Sequence, residues 1–247
     1  LALRLALANH ELRSPWWALL LTLAAVALFA SLGRWQWHRA AEKRALLAAF
    51  TAGGGRVEPL LGRVTTQLPR YQSVEVRGRY DTAHQFLLDN ISRGPAAGYE
   101  VLTPLQLADG RWLLVNRGWL PLVDGARARL PNVDFAAGSE RTLRGRLDEL
   151  PVTGIAAGRQ PPARAGSWPR LTSFPRSAEL AAALGHPLEP RQLLLAATAP
   201  DGYRRDWQGA GSSFGPERHV AYAVQWWGFA VLAVALFLAM NLRRSAT

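Results

Sequence analysis

Two uncharged apolar stretches, each about twenty residues long, constrain this chain more than any other feature. The first runs from Trp16 to Leu32, reads WWALLLTLAAVALFASL, and holds only Thr22 and Ser31 as polar residues. Extended through Trp35 it gives roughly 30 Å of helix at about 1.5 Å per residue, the thickness of a bilayer's hydrocarbon core. Trp16 and Trp17 mark one end and Trp35 and Trp37 the other, the pattern of an interfacial aromatic belt. The second stretch, Val220 to Met240, reads VAYAVQWWGFAVLAVALFLAM and is closed by Asn241, Arg243 and Arg244. Both are predicted to be transmembrane helices. The first leads into Arg34-Trp35-Gln36-Trp37 with no small-residue cleavage site, so it reads as an uncleaved anchor.

Two spans put both ends of the chain on one side. The expected organisation is a tail over 1–15, a helix over 16–37, a domain over 38–218, a second helix over 219–241 and a tail over 242–247. Arginines at the loop ends outnumber those of the tails, which taken alone would keep the domain in the cytoplasm. That rule weakens for long translocated domains, so charge leaves the side open. Hydrophobic residues at 49% and charged residues at 19% exclude a disordered chain and leave room for membrane segments. The absence of cysteine excludes disulfide scaffolds, thiolate zinc sites and iron–sulfur clusters. The net charge is +11, and Lys43 is the one lysine among 29 basic residues. The arginines are scattered singly, which points to anionic lipid heads or an acidic partner and away from nucleic acid.

Between the spans the pattern changes. Residues 38–52 continue helically out of the membrane and stop at Gly53-Gly54-Gly55. From Tyr71 the hydrophobic period is two, and strands are predicted at 71–80, 84–91, 98–107, 111–120, 141–148 and 191–197. Asp109-Gly110 is a hairpin turn signal. Residues 176–184, closed by Gly185, read as a short helix, and the Pro/Gly/Arg-rich stretch 151–170 as a loop. The fold class is membrane α+β: two transmembrane helices flank a small antiparallel sheet or open barrel with one or two short helices.

No hydrolytic or transferase centre is evident. The histidines (His10, His38, His84, His186 and His219) lack metal-ligand spacing, and there is no GxSxG or Walker loop. Asp81, Asp89, Asp109 and Asp148 fall at expected strand ends and turns, where turn chemistry explains them. The informative clusters sit where one span ends and the other begins. On the second helix His219, Tyr222, Ala223 and Trp226 share one stripe. Gln225, a polar group in apolar surroundings, should bond to the other helix, the domain or a ligand. A neutral imidazole at the end of a span suits axial ligation of haem iron, with aromatics beside it; a simple interfacial hydrogen bond is the more ordinary reading for a lone His beside Trp.

Four motifs carry a resemblance. They are LGRWQWHR (32–39), GYEVLTPLQLADGRWLLVNRGWLP (98–121), DGYRRDW (201–207) and PERHVAYAVQWWGFA (216–230). In order and spacing the chain resembles the Surfeit-locus (Shy-type) family of cytochrome c oxidase assembly factors. It departs at Asp89-Asn90-Ile91, where members often read Asp-Asn-Arg and where Arg93 lies two residues on. The glycine-rich stretch 209–215 is also longer than usual.

The resemblance implies a non-enzymatic chaperone in the bacterial cytoplasmic (inner) membrane, with its main domain extracytoplasmic. It implies transient binding of haem a and its delivery to cytochrome c oxidase subunit I, with haem A synthase and the lipid bilayer as further partners. By motif the iron ligand is His219, with Tyr222, Gln225 and Trp226 as cofactor-binding neighbours. His38 is a candidate second ligand, and Arg34, Arg39 and Arg218 are candidates for the propionates. The competing reading is a haem-free membrane scaffold that stabilises a subunit I assembly intermediate. Within VNRGW, Val115, Trp119 and Leu120 are expected in strand core and edge. Asn116, Arg117 and Gly118 are expected in a turn or bulge, with Arg117 paired to an acid such as Asp89.

Overall fold

The computed structural model describes residues 2–7, 10–125, 129–136, 138–152, 158–163, 165–207 and 215–244. In chain order the elements begin with β1 (Ala2–Leu7), β2 (His10–Pro15), α1 (Trp16–Ala52), β3 (Val57–Pro59) and β4 (Ser73–Tyr80). They continue with β5 (Phe86–Arg93), β6 (Ala96–Leu107), β7 (Trp112–Pro121), β8 (Arg141–Asp148) and β9 (Arg170–Thr172). The last are α2 (Ser177–Leu184), β10 (Gln192–Leu195), α3 (Pro216–Asn241) and β11 (Leu242–Arg244). They form two units, Leu1–Leu47 with Ser212–Thr247, and Ala48–Gly211.

The first unit is a helix pair with a small sheet. α1 and α3 are long and apolar enough to cross a membrane, and 6% of the apolar window of each is buried. That exposure separates them from the core helices of a soluble fold, which hide most of their apolar face. α3 starts at Pro216, where the ring costs no intrahelical hydrogen bond. The terminal segments do more than trail. β1 and β2 form an antiparallel hairpin in the register Ala2↔Pro15 to Leu7↔His10. β11 adds to the other edge of β2, with Leu242 opposite Leu12.

The second unit is a barrel with an extension. Hydrogen bonding runs β4-β8-β10-β7-β6, and a pairing of Gly78–Tyr80 with Leu105–Leu107 joins β6 back to β4. The first half of β4 holds β3 on that same side, so β4 exchanges partners along its length. β5 and β9 extend the sheet beyond β6. Most pairings are antiparallel, as the alternating pattern predicted, but β3–β4, β5–β9 and β7–β10 are parallel. Inside the ring Val74, Val76, Leu105, Leu113, Val115, Leu143, Leu147, Leu193 and Leu195 pack into one core. Period-two strands deliver one side chain in two to that interior. α2 covers a second cluster of Phe86, Leu102, Leu114 and Leu180.

The strands of the second unit align with the sequence reading except at short elements, while β1 and β2 lie in the segment 1–15 expected as a tail. β3 and β9, three residues each, were not anticipated. β9 falls at the end of the stretch 151–170 read as loop; residues 153–157 and 164 of that stretch lie outside the described residues, as do 209–214 of the glycine-rich stretch. Asp89 is a correction: it sits buried within β5, 6% exposed, and not in a turn.

Among the buried acids, which include Asp89 and Glu189, Glu100 shows how burial sets a charge state. Glu100 on β6 accepts hydrogen bonds from Asn116 Nδ2 at 2.7 Å and from Arg93 Nη2 at 3.1 Å. Burial raises its pKa above the ordinary carboxylate value, partly opposed by those two donors. Folding therefore favours the protonated form. The stability it contributes is full below the unfolded value near 4.3 and is lost as pH rises through the higher folded value. Urea unfolding of the wild type and of Glu100→Gln should show the wild type losing relative stability across that interval. A difference independent of pH would contradict the assignment.

Candidate functional site

In the helix pair, α1 presents Phe29, Gly33, Gln36, Trp37 and Ala40 along one face, at helical spacing. α3 answers with His219, Ala223, Trp226 and Trp227. Gly33, Ala40 and Ala223 are buried, so small residues set the approach. A Cβ on Gly33 would overlap the Trp227 indole, whose Cε2 would lie 2.9 Å away. Phe29 stacks on Trp226 with ring centroids 5.8 Å apart, and Trp37 meets Trp227 at 5.9 Å. Small residues that admit a neighbouring ring are a standard way to join apolar helices.

The polar contact of this seam lies at its end. His219 Nδ1 is 2.7 Å from Gln36 Oε1. With the amide oxygen as acceptor, Nδ1 carries the proton and Nε2 keeps its lone pair. This is the arrangement that orients an imidazole for a metal through its other nitrogen. The His219 side chain is half-buried, as is that of Gln36.

The remaining predicted residues divide around α3. Trp226 joins His219 in the seam. Tyr222, 49% exposed, and Gln225, also exposed, lie on the flank beside it. Gln225 therefore does not bond to α1. His38 is exposed and sits about 200° around α1 from Gln36, so the structure does not bring it to His219. Arg34, Arg39 and Arg218 are exposed, and Arg39 pairs with Glu42 at 2.6 Å. Sequence reasoning singled out His219 but not Gln36. The available signal was an amide inside RWQWHR, at the matching end of the other span.

In the barrel unit two motifs meet. Glu100 faces Trp119 and Leu102 faces Asn116, so β7 carries one extra residue and bulges at Arg117-Gly118. Gly118 has φ +112, a region that side chains other than glycine's enter rarely. The DGYRRDW run fills the bulge: Tyr203 N donates to Arg117 O at 2.7 Å and Trp119 N to Arg204 O at 2.8 Å. The Arg117 guanidinium is buried. It donates to Asp201 O at 2.7 Å and to Gln85 Oε1 at 3.0 Å, and its Cζ lies 3.8 Å from the Phe135 ring centroid. The expected pairing with Asp89 is thus replaced by carbonyls and rings, because the bulge turns the side chain toward the 201–203 segment. Burial lowers the Arg117 pKa. Arg93, near the departure from the family pattern, pairs with Glu100 at 3.1 Å. This cluster is a brace for the fold. Among the described residues no group of three or more His, Asp or Glu side chains is placed to hold a metal ion.

A sequence model of the SURF1 family matches residues 23–231, which take in the seam and the barrel. No curated protein compared with the chain matches it.

The seam makes a direct prediction. Gly33→Ala should lower the thermal stability of the detergent-solubilised chain by about 1–3 kcal/mol through overpacking. Trp227→Ala in the same chain should recover most of that loss. Equal melting of wild type and Gly33→Ala would show that the helices do not meet there.

Proposed function

This chain belongs to the SURF1 family of cytochrome oxidase assembly factors, and from that premise we propose that it binds haem a in passing and assists its insertion into cytochrome c oxidase subunit I. The observation that carries this reading is the His219–Gln36 hydrogen bond. It fixes the imidazole by one nitrogen and leaves the other free to ligate haem iron. On the same helix, Trp226 in the seam and Tyr222 on the flank would offer aromatic surface for the macrocycle. The exposed Gln225 amide supports a ligand on the same flank, since an unpartnered amide in hydrocarbon costs about 1–3 kcal/mol. Arg34, Arg39 and Arg218 would serve the propionates.

On this proposal 16–37 and 219–241 cross the bacterial cytoplasmic membrane. The segments 1–15 and 242–247 lie on the cytoplasmic side, and 38–218 is extracytoplasmic. The domain would hold subunit I, and haem A synthase would hand over the cofactor. The protein acts as a carrier rather than a catalyst. When bound, haem a would supply an iron that an imidazole nitrogen can ligate; the protein's part is to orient His219 and shield the ring.

The test is spectroscopic. Wild-type protein purified from cells that make haem a should carry haem a absorbance, and His219→Ala should lose it. Gln36→Leu, which leaves the ligand but frees its orientation, should weaken haem binding about tenfold or more. Full haem retention by His219→Ala would remove the ligand assignment. Haem-free wild-type protein would favour the scaffold reading.

A further inference from the structure

We propose that a groove on the outer face of the barrel binds an amphiphilic anion, an apolar body carrying a carboxylate or phosphate. The groove encloses about 400 Å³, within the range of small-molecule sites. Val57, Leu194 and Ala196 give it an apolar lining, and Phe50 and Trp207 add aromatic surface. Its ionisable lining consists of Arg144, Arg146 and Arg205, with no acid among the lining residues.

Two of these arginines, Arg146 and Arg205, are held in place without being neutralised. Arg146 Nη1 donates to Phe50 O at 2.6 Å, and its Cζ lies 4.0 Å from the Phe50 ring centroid. Arg205 Nη1 donates to Ala196 O and Ala199 O, each at 2.7 Å, and its Nε to Tyr203 O at 3.1 Å. Neither is paired with a carboxylate among the described residues. Only Arg144 meets an acid, Glu75, at 2.8 Å through Nε. A guanidinium has five N–H donors, so these bonds leave donors for a ligand. Two half-buried cations fixed on backbone carbonyls and lacking a counter-ion are relieved by an anion. The apolar and aromatic lining selects among anions for one with a greasy body. Trp207 is itself fixed, Nε1 donating to Leu195 O at 2.7 Å, so the site is formed before the ligand arrives.

The site does not depend on ligation by His219, and a metal-free probe separates the two. Full-length protein in neutral detergent micelles is titrated with metal-free protoporphyrin IX, a dicarboxylate, and binding is read from its emission anisotropy. We expect saturable binding that weakens about tenfold in Arg144→Glu and in Val57→Glu and is unchanged in His219→Ala. The Arg144 side chain is 67% exposed and Val57 45%, so both variants should fold, which their melting curves check. Arg144→Lys should keep most of the affinity. Displacement by short-chain phosphatidylglycerol but not phosphatidylcholine assigns the groove to acidic lipid. Displacement by neither assigns it to ring-borne carboxylates. Binding no greater than to empty micelles, wild-type affinity in both groove variants, or displacement by phosphatidylcholine would overturn the proposal.

Discussion

Two apolar helices in a bilayer gain nothing by hiding hydrophobic surface from each other, because lipid tails are as apolar as leucine. Their association has to come from close packing and from polar groups with no better partner. Gly33 supplies the first by making room for the Trp227 indole. His219 and Gln36 supply the second. An imidazole is thereby held by one ring nitrogen at the point where the apolar stretch of α3 begins. Without Gly33 the rings would not interleave, and without Gln36 the imidazole would be free to turn.

The barrel solves a different problem. A ring of five short strands leaves little interior, and the chain fills it with Val and Leu while placing polar residues in braces outside that core. Arg117 is the clearest brace. Its charge is spent on a carbonyl, an amide oxygen and two aromatic rings, which tie the β7 bulge to the 201–203 segment. Charged groups so committed are poor reagents, so the arginine of this motif reads as a structural brace. Arg146 and Arg205 are a contrast, since their bonds position them and leave their charge unanswered.

The fold was largely legible where periodicity ran for six residues or more. The 3.6-residue and two-residue patterns located α1, α3 and the long strands, and Asp109-Gly110 marked the β6–β7 turn. Strands of three residues such as β3 and β9 are shorter than any period and arise from tertiary pairing. The same holds for β11, which pairs with β2 across almost the whole sequence. In β1, by contrast, Leu3, Leu5 and Leu7 alternate in the sequence and went unread. At the site, helical spacing grouped His219 with Trp226 but could not say which flank met α1. Tyr222 shares that spacing in the sequence, yet lies on the exposed flank. Gln36 was missed because a partner on another helix leaves no spacing signal. The bulge at Arg117-Gly118 agrees with the sequence reading, but the partner of Arg117 does not, because the direction in which a bulge turns a side chain depends on the packed segment 201–203.

The central claim is that this chain's imidazole at position 219 serves the haem loading of an oxidase. The most direct measurement is the haem a content per oxidase complex in membranes of cells lacking the gene, complemented with wild type or His219→Ala. The account predicts oxidase depleted of haem a in the deletion, restored by the wild type and not by the variant expressed at equal level. Oxidase fully loaded with haem a in the deletion strain, or restored equally by both forms, would contradict it.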